Sequence, residues 1–154
     1  MKVRTTILAL LVITCAFAQN KKENQVEKRS INPWNWQDSR NYVQAVEVKN
    51  VVGTLYVSGQ TAIDADGNSS TEDMKSQLIQ TLENLEKVIK DAGYDCKNIV
   101  RLNIYTTVSD ELFSNFDVLQ NWIIKYNIKQ ASTALEVKSL YETLKVELEA
   151  TVVK

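Results

Sequence analysis

The sequence predicts an α+β domain in which two helices cover one face of a single β-sheet. Five segments alternate apolar and polar residues, as strands do, and two longer segments repeat apolar residues every three or four positions. The resulting order is β-β-α-β-α-β-β, which is typical of this class. Because the two helices cover only one face, we expect the other face to pack against further subunits in a barrel-like core.

The alternating segments define the predicted strands. They lie at residues 43–48, 54–58, 98–108, 133–137 and 144–153. In the third of these, alternation places Leu102 and Ile104 on one side and Arg101, Asn103 and Tyr105 on the other. The last strand alternates in the same way, so that its charged residues share the side opposite the core.

The two helical segments span residues 71–92 and 110–126. In the first, the apolar positions form one face: Met74, Leu78, Leu82, Leu85, Ile89 and Ala92. Ser70 and Asp73 have the spacing of a capping box, and Gly93 suits the left-handed residue that ends many helices. Ser109 is the expected N-cap of the second helix.

The first 30 residues look like an export signal followed by a tether. A positive start, an apolar run at residues 7–13 and Ala16-Phe17-Ala18 predict a signal peptide over residues 1–18. The protein is then periplasmic or secreted. Lipid attachment at Cys15 is a less favoured alternative, since Thr14 precedes it. The charge-rich residues 19–30 predict a flexible tether, which leaves residues 31–154 for the domain.

Composition excludes several kinds of chemistry. The chain has no histidine, so Ser-His-Asp and Cys-His catalysis within one chain are excluded. A net charge of −1 without a basic stripe gives no reason to expect nucleic acid.

The segment 64–68 lacks the spacing of a calcium loop and is better interpreted as a turn. Cys96 lacks an activating neighbour and is interpreted as a buried thiol.

Three stretches of motif carry a family resemblance. They are YVQAV at 42–46 with YVSGQT at 56–61; LENL at 82–85 and DAG at 91–93, leading into IVRLNIY at 99–105; and ASTALEV at 131–137, ending in VELEA at 146–150. Each is weak alone, but in this order they resemble the Rid family (reactive intermediate deaminases, YjgF-like). The resemblance covers essentially the whole predicted domain.

The resemblance implies a homotrimer with a small-molecule cleft between subunits. In the deaminase branch of the family, the cleft hydrolyses 2-imino acids or their enamine tautomers to 2-keto acids and ammonia, with no metal and no organic cofactor. Matched by motif, Glu147 would position the catalytic water. The substrate-binding positions matched in the same way are Tyr42, Ser58, Gly59, Ser132 and Ala134.

One of these matches departs from the deaminase pattern. The deaminases have at the position of Ser132 an Arg that holds the substrate carboxylate, and serine cannot form that bidentate contact. Arg101 or Lys138 could compensate if either faced the cleft. Three functions therefore stay open: an imine or enamine hydrolase, a non-catalytic small-molecule binding trimer and, least favoured, a ribonuclease or translation inhibitor. The residues Tyr42, Trp34 and Trp36 could instead have only a packing role. Glu147 could be an ordinary exposed carboxylate.

Overall fold

A computed structural model of the protein describes residues 25–154, so the predicted signal peptide lies outside the described residues. The described strands are β1 (Glu27–Ile31), β2 (Ala45–Lys49), β3 (Thr54–Gln60), β4 (Ile99–Thr106), β5 (Ala131–Glu136) and β6 (Val146–Val153). The helices are α1 (Met74–Asp91), α2 (Ser109–Ser114) and α3 (Phe116–Lys125), with short 3₁₀ turns at Asp38–Arg40 and Cys96–Asn98. The predicted α+β class is confirmed.

The strands form two sheets, so the expectation of a single sheet is wrong. Four strands form the main sheet in the order β3-β6-β4-β5, in which β6 runs antiparallel to both neighbours and β4 runs parallel to β5. Helices α2 and α3 make the crossover that a parallel pair requires. Strands β1 and β2 pair separately as an antiparallel ribbon. Five predicted strands match β2 to β6, with ends shifted by up to two residues.

Strand β1 overlaps the last four residues of the predicted tether, so Glu27–Ser30 form a strand and not a flexible segment. Its first four residues are exposed, and Arg29 Nε donates to Glu47 Oε2 across the ribbon at 2.8 Å. A strand exposed in this way carries no alternation of apolar and polar residues. Periodicity therefore could not distinguish it from a polar linker.

Helix α1 and the sheet enclose the core. The predicted apolar face of α1 is buried from Met74 to Ile89, whereas Ala92 follows the helix and is exposed. Leu102, Ile104 and Leu148 of the central strands are buried as well. Asp73, and not Ser70, is the N-cap of α1, because its carboxylate accepts the Ser76 N–H at 2.8 Å. After α1, Gly93 takes the left-handed conformation that the sequence predicts (φ +73°).

The second predicted helix is interrupted near Asn115 and forms α2 and α3. Ser114 Oγ donates to the carbonyl of Asp110 at 2.8 Å, and Asn115 Nδ2 donates to that of Glu111 at 2.9 Å. Such side chains compete with the backbone N–H groups that would continue the helix. Ser109 is the first residue of α2 and not its N-cap, a position held by Val108.

The face of the main sheet opposite the helices carries polar side chains. Arg101, Asn103 and Tyr105 of β4 lie beside Glu147 and Glu149 of β6, and all are exposed or half-buried. The main sheet therefore has one packed face and one open face.

The described residues contain no helix that is both long and apolar enough to cross a membrane.

Candidate functional site

The six site residues taken from motifs fall into two groups on opposite faces of the sheet. Ser132 is paired with Leu102, and Ala134 with Ile104, so both lie on the helix side of β5. Glu147 is paired with Tyr105 and lies on the open face. Tyr42 joins the helix-side group, whereas Ser58 and Gly59 join Glu147. One chain alone does not bring the two groups together.

In the open-face group, the Glu147 side chain lies against the backbone of Gly59. A Cβ at Gly59 would overlap the Glu147 carboxylate, so a larger residue there would displace that side chain from its present position. The ladder between β3 and β6 is irregular between Val57 and Gln60, which takes Ser58 and Gly59 out of regular pairing. This bulge makes room for the carboxylate beside the strand.

The pKa of Glu147 is raised above its ordinary value, first by desolvation and then by the negative charge of Glu149. Glu149 is itself stabilised, because its Oε2 accepts hydrogen bonds from Tyr105 Oη at 2.9 Å and from Asn103 Nδ2 at 3.3 Å. Glu147 makes no hydrogen bond or ion pair with any residue from 25 to 154. A desolvated, unpaired carboxylate is suited to accept a proton from water.

The helix-side group lines a cavity of about 570 Å³ between β5 and helices α2 and α3, which we call the helix-side cavity. Tyr42, Ser132 and Ala134 contribute to its walls. Other lining residues, which the motifs did not indicate, are Arg40, Gln44, Ile104, Phe113, Phe116, Leu119, Gln120, Ile123 and Gln130. The volume lies within the usual range for a small-molecule site.

Gln130 holds the segment that carries Arg40, Tyr42 and Gln44 against the start of β5. Its side-chain Nε2 donates to the backbone carbonyl of Asn41 at 3.0 Å, and its backbone carbonyl accepts the Val43 N–H at 3.0 Å. Asn41 has a left-handed backbone (φ 57°), which turns the chain between Arg40 and Tyr42. Contacts between residues so far apart in sequence leave no periodic signal that sequence analysis could detect.

Arg40 is the cation at the helix-side cavity. Its guanidinium lies 5.4 Å from the centre of the Trp36 ring, and Trp36 meets Tyr42 edge to face with ring centres 6.4 Å apart. This arrangement gives Trp36 and Tyr42 a packing role beside the cavity. A cluster of aromatic residues around one arginine, before the first predicted strand, is the signal that sequence analysis could have used.

Neither cation that the sequence suggested as a substitute lines the cavity. Arg101 lies on the open face, where it donates to Thr133 Oγ1 at 2.5 Å and to Asn103 Oδ1 at 2.9 Å. Lys138 is exposed and follows the end of β5. The expectation that one of them compensates for Ser132 therefore has no support in the geometry of a single chain.

Two other candidate groups are structural. Asp64 Oδ1 accepts the N–H groups of Asp66 and Asn68, both at 2.9 Å, as expected for the predicted turn. Cys96 is buried, and burial raises the pKa of its thiol to about 11. Within residues 25–154, no cluster of three or more histidine, cysteine or carboxylate side chains could hold a metal ion.

Comparison with known proteins identifies the family. The family model described as endoribonuclease L-PSP matches residues 36–154. A RutC family protein of Aquifex aeolicus is 32% identical over 113 residues, covering 73% of this chain and 88% of the relative. The 2-iminobutanoate/2-iminopropanoate deaminase of Salmonella typhimurium is 27% identical over 114 residues, covering 73% and 87%.

Solved structures agree with this assignment. The Rid protein YyfB of Yersinia pestis, described as of unknown function, has a TM-score of 0.71 and 28% identity, and the match covers 82% of this chain and 98% of that one. The yjgF product of Escherichia coli, 24% identical with a TM-score of 0.61, shares the fold over 73% and 87% of the two chains. The fold, the ordered motifs and the family model together show that the chain belongs to the Rid family, whose model carries the description endoribonuclease L-PSP.

Proposed function

We propose that this protein is a metal-free hydrolase of imines and enamines, working in a cleft between the subunits of a homotrimer. The observation that carries the proposal is Glu147, a desolvated carboxylate held against Gly59 without a partner among the described residues. A relative that is 27% identical is named 2-iminobutanoate/2-iminopropanoate deaminase, which supplies the substrate class. Export from the cytoplasm, proposed from residues 1–18, would place this activity in the periplasm or outside the cell.

The division of the site between two sheet faces supports assembly. Ser132 and Ala134 lie on one face and Glu147 on the other, so a small ligand could contact both groups only if two chains supplied them. The open face also exposes Tyr56 (80%) and Leu135 (51%), which are large apolar side chains suited to a subunit interface. Light scattering of the purified protein should give three times the monomer mass.

The chemistry requires one water and one general base. Glu147 would take a proton from a water molecule whose oxygen adds to the imine carbon. Glu147 returns this proton to the nitrogen of the adduct. Transfer of the adduct's hydroxyl proton to the same nitrogen then accompanies cleavage of the carbon–nitrogen bond, so that ammonia leaves and a 2-keto acid remains. The raised pKa of Glu147 improves proton transfer, because a base is most effective when its pKa is near the working pH.

Hydrolysis of freshly generated 2-iminobutanoate, measured for the wild type beside Ser132→Arg, tests the proposal. Activity of the wild type would support it and would mean that another residue binds the carboxylate. Activity of the variant alone would show a competent scaffold with a different natural substrate. Inactivity of both would contradict the hydrolase proposal for this substrate class.

A non-catalytic binding trimer is the second candidate, and Ser132 in place of Arg is the observation that favours it. Mass spectrometry of native protein should then detect a bound metabolite, such as an imino or keto acid, without turnover of imines. Ribonuclease activity is the least supported function, because the chain has no histidine for acid–base cleavage. We accordingly expect no nucleic-acid partner, and no RNA cleavage or binding at low salt.

A further inference from the structure

The helix-side cavity has a polar wall whose hydrogen-bonding groups are incompletely used. Gln130 is 1% exposed, and its Oε1 has no hydrogen-bond partner among the described residues. Gln44 Nε2 is likewise buried without a partner. Buried polar groups are nearly always paired in folded proteins, so an unpaired acceptor and donor lining one cavity indicate a polar ligand.

Arg40 adds a positive charge to the same cavity. Its guanidinium forms no ion pair with any residue of the described range and is held over the Trp36 ring. A planar guanidinium can form two parallel hydrogen bonds to one carboxylate. A single cation flanked by neutral amides favours a monoanion over a phosphate, which usually recruits several cations.

The facing wall is apolar and comes from helices α2 and α3. Phe113 and Phe116 lie in ring contact, with centres 5.7 Å apart, and Leu119 and Ile123 continue the wall. Phe113 is 60% exposed, an unusual state for a phenylalanine beside a cavity. A ligand with a hydrophobic side chain would cover this surface.

We infer that Arg40 is the carboxylate-binding residue of this protein, and that the helix-side cavity takes a 2-oxo or 2-imino acid with a branched aliphatic or aromatic side chain. The carboxylate lies on Arg40, the group at carbon 2 faces Gln44 and Gln130, and the side chain packs on Phe113 and Phe116. The inference rests on the proposed function for the nature of the reacting group. It explains how a chain with Ser132 retains an anion site.

Calorimetric binding of 4-methyl-2-oxopentanoate to the full trimeric protein tests the inference. We expect Arg40→Gln to raise the Kd at least tenfold. Arg40→Lys should raise it less, because lysine keeps the positive charge but cannot form two parallel hydrogen bonds to the carboxylate. Arg29→Gln is the matched control: it removes the same charge from an exposed arginine of β1 and should leave the Kd unchanged. Pyruvate, which lacks the branched side chain, should bind the wild type at least tenfold more weakly.

Two further measurements separate this inference from the proposed function. The methyl ester of the same oxo acid should bind wild type and Arg40→Gln equally, since it has no negative charge. Arg40-dependent binding without imine hydrolysis would overturn the hydrolase and leave the inference standing. Three results would overturn the inference. The first is imine hydrolysis whose KM is unchanged in Arg40→Gln, and the second is a Kd that Arg29→Gln raises as much as Arg40→Gln does. The third is the absence of binding by a wild-type protein that has a normal melting curve.

Discussion

The two faces of the main sheet differ in what stabilises their side chains, which is apolar packing on the helix face and hydrogen bonding on the open face. On the helix face, Leu102 and Leu148 are completely buried among apolar neighbours. On the open face, Tyr105 and Asn103 donate to Glu149, while Glu147 beside it is left unpaired among the described residues. The difference indicates that the helix face determines whether the chain folds, and that the open face is available for chemistry.

The largest expected effect is on activity, through Glu147→Gln. The amide cannot accept a proton from water, so kcat should fall by about 10² to 10⁴, as for loss of a general base. Thermal melting should change little, since the carboxylate has no partner to lose. Glu83→Gln on the exposed side of α1 is the control and should retain full activity. Full activity of Glu147→Gln would contradict its assignment.

On the helix face, Leu148→Ala should reduce the free energy of unfolding by about 2–5 kcal/mol, because it leaves a cavity in the core. On the open face, Arg101→Ala removes two hydrogen bonds that are exposed in a single chain, and should cost about 1 kcal/mol or less if the interface does not bury them. Urea unfolding at one protein concentration measures both. Equal losses would mean that the open face also contributes to the core of the assembly.

Gly59→Ala tests the contact between β3 and the carboxylate. The added methyl group would overlap the end of the Glu147 side chain and displace it, with little loss of stability because that side chain has no partner to lose among the described residues. We expect activity to fall at least tenfold. Gly67→Ala is the comparison for loss of a glycine, since its Cβ would meet nothing, although its left-handed backbone strains it. A fully active Gly59→Ala would show that Glu147 can move without consequence.

The smallest expected effect is on pH dependence, through Glu149→Gln. Activity requires ionised Glu147, so it should fall as pH decreases through the raised pKa of that group. Removing the Glu149 charge should lower this pKa and move the acidic limb of the rate profile to lower pH. The effect of pH on stability has the opposite direction. Because the pKa of Glu147 is raised in the folded state, this residue contributes its full stabilisation below its pKa in the unfolded chain, and the contribution is lost as pH rises through its pKa in the folded chain. An unshifted acidic limb would assign it to another group.

Alternation and helical period were sufficient to predict β2 to β6 and α1. The reason is clearest for β4, β6 and α1, which each bury one side, whereas β2 and β5 have no buried residue. The two patterns failed for β1, whose residues are exposed, and at Asn115, where a side-chain hydrogen bond interrupts a helix of correct period. The motifs indicated Glu147 and Gly59, which the structure brings into contact. They did not indicate Arg40, because its place at the cavity that Ser132 also lines depends on hydrogen bonds between Gln130 and residues 41–43.

Burial of Cys96 has a practical consequence. It is the one cysteine of residues 25–154, and with a thiol pKa of about 11 only about one molecule in a thousand would be ionised at pH 8. A thiol-specific reagent can therefore modify the folded domain only when the region around the Cys96–Asn98 turn opens. The labelling rate at this native position would report the opening equilibrium of the core directly, without an engineered probe.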